Sequence, residues 1–118
     1  LLERARGPAS PFAAYVAVLP REYGNPLWFA ARDWAALAGS PVRRRAAQML
    51  HVAARQYCSL HKALHDDATA ALRPLAAAFT WRAYCWAYSA AMSRQLADAE
   101  KAPALVPVWD LLNASLHL

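Results

Sequence analysis

His61, His65 and Asp66 lie in the run His61-Lys62-Ala63-Leu64-His65-Asp66, a one-turn spacing at which side chains on one helix face can share a metal ion. The position after the first histidine, which a catalytic zinc motif fills with glutamate, holds Lys62, and no third ligand follows. A solvated helix face is therefore the preferred reading, and no metal is expected. Arg43-Arg44-Arg45 is a second concentration of chemistry. It falls in the first turn of a helix, where positive charge opposes the macrodipole and calls for an acidic counterpart. Exposed Arg runs are common, so a solvated face is again preferred to a phosphate or partner site. The two cysteines, Cys58 and Cys85, lack Cys-x-x-Cys spacing and suit reduced thiols rather than a disulfide framework. The richest stretch is Ala91-Met92-Ser93-Arg94-Gln95, continued after a polar loop by Leu105-Val106-Pro107-Val108-Trp109-Asp110-Leu111-Leu112-Asn113. On residue type alone, Arg94 and Asp110 pair with each other and Asn113 caps a turn.

The elements that must position these groups follow from composition. The chain has 118 residues, 58% hydrophobic and 18% charged, with a net charge of +5, which excludes a disordered polymer and allows one domain at most. Three Gly against eight Pro favour helices joined by Pro-marked turns over a sandwich of short strands, so the fold class is mainly α. Charged residues interrupt every apolar run before the roughly 18 residues of a membrane span, so no membrane partner is expected. The start, Leu1-Leu2-Glu3-Arg4, has neither an initiator Met nor a signal-peptide core, and both ends are expected to continue into something longer.

Local signals place the elements. Leu1 to Arg6 ends a helix that Gly7-Pro8 stops. Ser10-Pro11 then caps a short helix bearing Phe12, Tyr15, Val16 and Leu19 on one side and ending at Pro20. Tyr23-Gly24-Asn25-Pro26 is a turn, and Leu27-Trp28-Phe29 after it is expected to be buried. A helix over Ala31 to Ala38 closes at Gly39. Ser40-Pro41 opens the longest element, with Val42, Ala46, Met49, Ala53, Tyr57, Leu60 and Leu64 on its apolar side through His65. Thr80 caps a last helix on which Trp81, Tyr84, Cys85, Tyr88 and Met92 form one deeply buried face. Ala97 to Pro103 is a loop, and Leu105 to Val108 can pair as a strand where Pro107 is tolerated.

A helix ending in Ser93-Arg94, followed after a loop by Leu105-Val106-Pro107, then Asp110 and Asn113, resembles the start of the C-terminal half of a SET domain. The resemblance is to protein methyltransferases of the Rubisco-lysine and actin-histidine type. It continues upstream in Ser10-Pro11-Phe12, Leu19-Pro20-Arg21-Glu22-Tyr23, Pro26-Leu27-Trp28-Phe29 and Ala54-Arg55-Gln56-Tyr57, which look like the helical insert that divides the SET domain in this family. The resemblance implies an insert over residues 1–79 and the start of the β-rich C-terminal half over 80–118, an incomplete single domain.

By family position, Arg94 holds the carboxylate of S-adenosylmethionine through a charge-assisted bond and Ser93 adds a polar contact. Asp110 lies near the cofactor's amino end, and the backbone of Asn113 and Ala114 binds adenine. Leu96 and Trp109 face the acceptor side chain. The family writes Asn-His where this chain has Asn113-Ala114, and the actin-histidine branch follows its Arg-Gln pair with an Asn where this chain has Leu96. The glycine-containing cofactor loop and the catalytic Tyr of the family fall outside Leu1 to Leu118. The implied function is S-adenosylmethionine-dependent N-methylation of lysine or histidine on a non-histone protein. The alternative is a catalytically silent SET-derived module in a host protein complex. A small basic nucleic-acid binder, resting only on the net charge and the triple Arg, is not favoured, so nucleic acid is not expected as a direct partner. Reduced thiols point to an intracellular, cytoplasmic location, with an organelle as the alternative.

Overall fold

A computed structural model of the chain describes residues 1–66, 72–97 and 103–105. Among these the backbone forms helices α1 (Leu2–Arg6), α2 (Ala13–Val18), α3 (Ala31–Ala36), α4 (Val42–Asp66), α5 (Arg73–Ala78) and α6 (Trp81–Arg94). Strands β1 (Gln95–Ala97) and β2 (Pro103–Leu105) follow, and short 3-10 turns occupy Gly7–Ala9 and Pro26–Trp28. The architecture is mainly α, as the composition requires.

α4 starts where its local chemistry says it should. Ser40 Oγ accepts the Val42 N–H at 3.2 Å and the Ser40 carbonyl accepts the Arg43 N–H at 3.1 Å, satisfying first-turn donors that have no helical partner. Gly39 just before it adopts φ 77, a conformation strained for any residue with a Cβ. The helix runs 25 residues, roughly 37 Å at 1.5 Å per residue. Its buried line is Ala46 and Ala53, joined by partly buried Tyr57 and Leu64. The Pro26–Trp28 turn, α5 and α6 pack on it. These neighbours are short, so Val42 (55% exposed) and Leu60 (48%), both expected on the buried side, remain at its exposed margin. Arg43, Arg44 and Arg45 are all exposed.

α6 begins at Thr80, whose hydroxyl accepts the Ala83 N–H at 3.2 Å and whose carbonyl accepts the Tyr84 N–H at 2.9 Å. The helix lies between two apolar clusters. Trp86 and Ala90 join Leu19 in one, and Tyr84 joins Ala53 and Phe79 in the other. Burial on more than one side corrects the expectation of a single aromatic face: Tyr84, Cys85, Trp86, Ser89 and Ala90 are buried, whereas Trp81 and Tyr88 are half-buried. Met92 is 53% exposed, because the clusters grip the helix before its last turn.

Other expectations shift by small amounts. α2 starts at Ala13 rather than at Pro11, because the Ser10 hydroxyl accepts the Phe12 N–H at 3.0 Å and donates to Glu3 at 2.6 Å, making a turn before the helix. Phe12 is therefore exposed, while Leu19 is buried and Tyr15 and Val16 are half-buried. Leu27, Trp28 and Phe29 are half-buried, since they sit on a 3-10 turn and its C-terminal cap, which show one side to solvent. α5 was not legible in the sequence; Pro74 in its first turn is its start signal. β2 begins at Pro103, inside the expected loop, and pairs antiparallel with β1 in the register Gln95↔Leu105, Leu96↔Ala104, Ala97↔Pro103. Proline is tolerated there as the first residue of a strand.

Candidate functional site

The position of the C-terminal half of α6 is fixed by a buried hydroxyl. Ser89, 1% exposed, accepts the Asn25 side-chain amide at 2.8 Å and the Trp28 indole N–H at 3.0 Å. Asn25 in turn accepts the Leu27 N–H at 3.1 Å, capping the 3-10 turn that carries Trp28. One turn earlier on α6, the Trp86 indole donates to the Pro20 carbonyl at 2.7 Å. Two side chains of α6 thus tie it to the segment between α2 and α3. Replacing Ser89 by Ala leaves two part-buried donors without their acceptor, at about 1–3 kcal/mol for a buried group, and is expected to lower stability by about 2 kcal/mol. Urea unfolding should show a lower midpoint at unchanged slope; a shift under about 0.5 kcal/mol would remove Ser89 as the anchor.

Past that anchor, α6 delivers the residues singled out in the sequence. The Ser93 hydroxyl donates to the Ala90 carbonyl at 3.2 Å, which uses its proton inside the helix and leaves its lone pairs outward. Arg94, half-buried, is the last residue of α6, where the helix dipole favours a cation. The chain passes directly into β1, so Leu96 stands two residues beyond Arg94, opposite Ala104 in the ladder. Ser93, Arg94 and Leu96 are therefore brought to one helix-to-strand junction. Trp109, Asp110, Asn113 and Ala114 lie outside the described residues.

Among the described residues, the buried Cys85 and Tyr84 of α6 are not activated nucleophiles. Burial pushes the Cys85 thiol up from its ordinary value, so it stays protonated at neutral pH, and Cys58 is a free, exposed thiol. Burial, then Tyr88 and Cys85, push the Tyr84 phenol up as well, and its hydroxyl donates to Gln56 at 3.0 Å. The paired histidines sit apart from the junction, on α4. Their rings stack at 4.1 Å, His65 Nδ1 meets the His61 carbonyl at 2.8 Å, and Asp66 pairs with Lys62. Arg94 places a permanently charged guanidinium at this junction.

No family model matches the chain. A Danio rerio protein named actin-histidine N-methyltransferase is 36% identical over 118 aligned positions, which take in 96% of this chain and 20% of that protein. The Mus musculus and Homo sapiens proteins of that name are each 33% identical over the same shares. The chain is similar to a fifth of an actin-histidine N-methyltransferase. Because the likeness leaves out only a few residues, the α6 to β1 junction with Ser93, Arg94 and Leu96 falls inside it. These relatives are of the actin-histidine kind; the Rubisco-lysine kind rests on the motif resemblance alone. Their names are those of enzymes and give no support to a silent module.

The sequence missed the Ser89 anchor. Asn25-Pro26 was a legible turn start, but its partner lies 64 residues away, and no local pattern marks such a pairing.

Proposed function

We propose that the chain is the helical insert and the start of the C-terminal half of an S-adenosylmethionine-dependent protein N-methyltransferase. Its acceptor is a histidine on an actin-type protein. What carries the reading is the likeness to enzymes of that name along 96% of the chain, with a cation placed at the end of α6. Two free cysteines accord with an intracellular, cytoplasmic setting.

The described residues fit one end of the cofactor. The guanidinium fork of Arg94 matches a carboxylate, and the Ser93 oxygen, its proton committed to Ala90, is left as an acceptor suited to an ammonium or a bridging water. S-adenosylmethionine, when bound, supplies the methyl group on its sulfonium sulfur. By the resemblance, Asp110 would serve the amino end, the backbone of Asn113 and Ala114 the adenine, and Trp109 and Leu96 the acceptor side chain. Leu96 has no hydrogen-bonding group, so it supplies shape and excludes water rather than orienting an imidazole. Catalysis by such a site rests on alignment.

Calorimetry of the intact protein with S-adenosylmethionine is expected to show saturable binding. A charge-assisted bond is worth about 1.5–3 kcal/mol, so Arg94→Ala should weaken that binding about ten- to a hundredfold with the circular dichroism melt unchanged. No saturable heat at millimolar cofactor, or equal affinity in the variant, would overturn the assignment. Mass spectrometry of methylated actin tests the acceptor: a methyl group found on lysine instead of histidine removes that part.

A further inference from the structure

We propose that the N-terminal end of α6 is a phosphate-binding site, independent of the methyltransferase reading, built from Arg4, Arg21, Arg82 and Thr80 against the rings of Trp28 and Trp86. These residues line one cavity of about 150 Å³. A cavity of that size admits a benzene-sized group, ample for a single tetrahedral oxyanion.

Three separate features converge there. Arg4 lies over the Trp86 ring at 4.4 Å and Arg82 over the Trp28 ring at 5.3 Å. Both indole N–H groups are already spent, on Pro20 and Ser89, so the tryptophans offer only their faces. A guanidinium held over a ring retains donors for an anion and loses little freedom when it binds one. The second feature is charge. Glu22 pairs with Arg82 at 2.6 Å, and among the described residues neither Arg4 nor Arg21 has an ion pair. Two uncompensated cations match a dianion, which favours phosphate over a single carboxylate. The third is the helix. α6 is 14 residues long, and Thr80, Arg82 and Ala83 at its start line the same cavity, where the positive end of the helix dipole favours an anion. Glu22 and Arg82 are both largely exposed, so their pair is weak and yields to a phosphate oxygen.

The phosphate arrives either free or on a phosphorylated side chain of a protein. Tryptophan fluorescence of the intact protein reads the site, because two indoles line it. Titration with inorganic phosphate at fixed ionic strength is expected to give a saturable change that chloride does not. Arg21→Gln, which removes a cation that has no ring or ion-pair contact among the described residues, should weaken phosphate binding at least tenfold without altering the melt. Arg55→Gln, on the exposed side of α4, should leave it unchanged. A phosphoserine peptide binding tenfold more tightly than phosphate, with its unphosphorylated form inert, assigns the site to a protein partner; equal affinity assigns it to free phosphate. A response that never saturates, or one equal in wild type and Arg21→Gln, overturns the site. ³¹P line broadening provides the same decision for a variant whose fluorescence is changed.

Discussion

Trp86→Ala is expected to destabilise the protein by about 3–5 kcal/mol, the range for removing a buried aromatic side chain and leaving its cavity. Trp86 is buried against Leu19 and Ala90, with Tyr15, Val16, Tyr23 and Trp28 around them. Its indole N–H bonds to the Pro20 carbonyl at 2.7 Å and its face carries Arg4 at 4.4 Å. The substitution therefore removes transfer energy, a hydrogen bond and a cation–π contact together. Against a total stability of about 5–15 kcal/mol, that is a large share. Trp86→Phe keeps a ring and loses the hydrogen bond, so it should cost clearly less. Denaturant midpoints measure both, and a loss under about 1 kcal/mol for the Ala variant would mean that Trp86 is not part of a core.

Phe79→Ala should cost a similar 3–5 kcal/mol, through the second cluster. The Phe79 ring stacks on Tyr57 at 5.3 Å with 12° between planes and meets Tyr84 edge-on at 5.9 Å. Stacked and edge-to-face pairs add about 0.5–1.5 kcal/mol to the area they bury. Ala53, fully buried in the same cluster, is small enough to let these rings approach α4. Phe79 immediately precedes Thr80, so the cluster also fixes where α6 starts. Thermal melts compare the variant with Phe79→Leu, which retains most of the volume. Equal melting temperatures for Phe79→Ala and wild type would refute the packing assigned to it.

The candidate site was legible to the extent that its residues are neighbours in sequence. Ser93, Arg94 and Leu96 are adjacent on the chain, and a helix read from Thr80 onward necessarily carries them to its end. Trp81 and Met92 show where such reading stops. Both fall on the aromatic side by spacing, yet Trp81 is only half-buried at the edge of the Tyr84 cluster and Met92 is exposed, while Trp86 and Ala90, off that side, are buried with Leu19. Periodicity reports which residues share a face, and says nothing of how many faces a helix buries.

What the sequence determined by itself is the mainly α character, the caps at Ser40 and Thr80, the turn at Asn25-Pro26 and the positive-φ glycine at position 39. Each depends on hydrogen bonds or backbone sterics spanning no more than about four residues. Only the tertiary structure decided that Ser89 would hold Asn25 and Trp28, that α6 would be gripped on two sides, and that Arg4, Arg21 and Arg82 would face one cavity. Those outcomes follow from which elements meet, because burying apolar surface has no preferred direction until partners 60 or more residues apart are brought together.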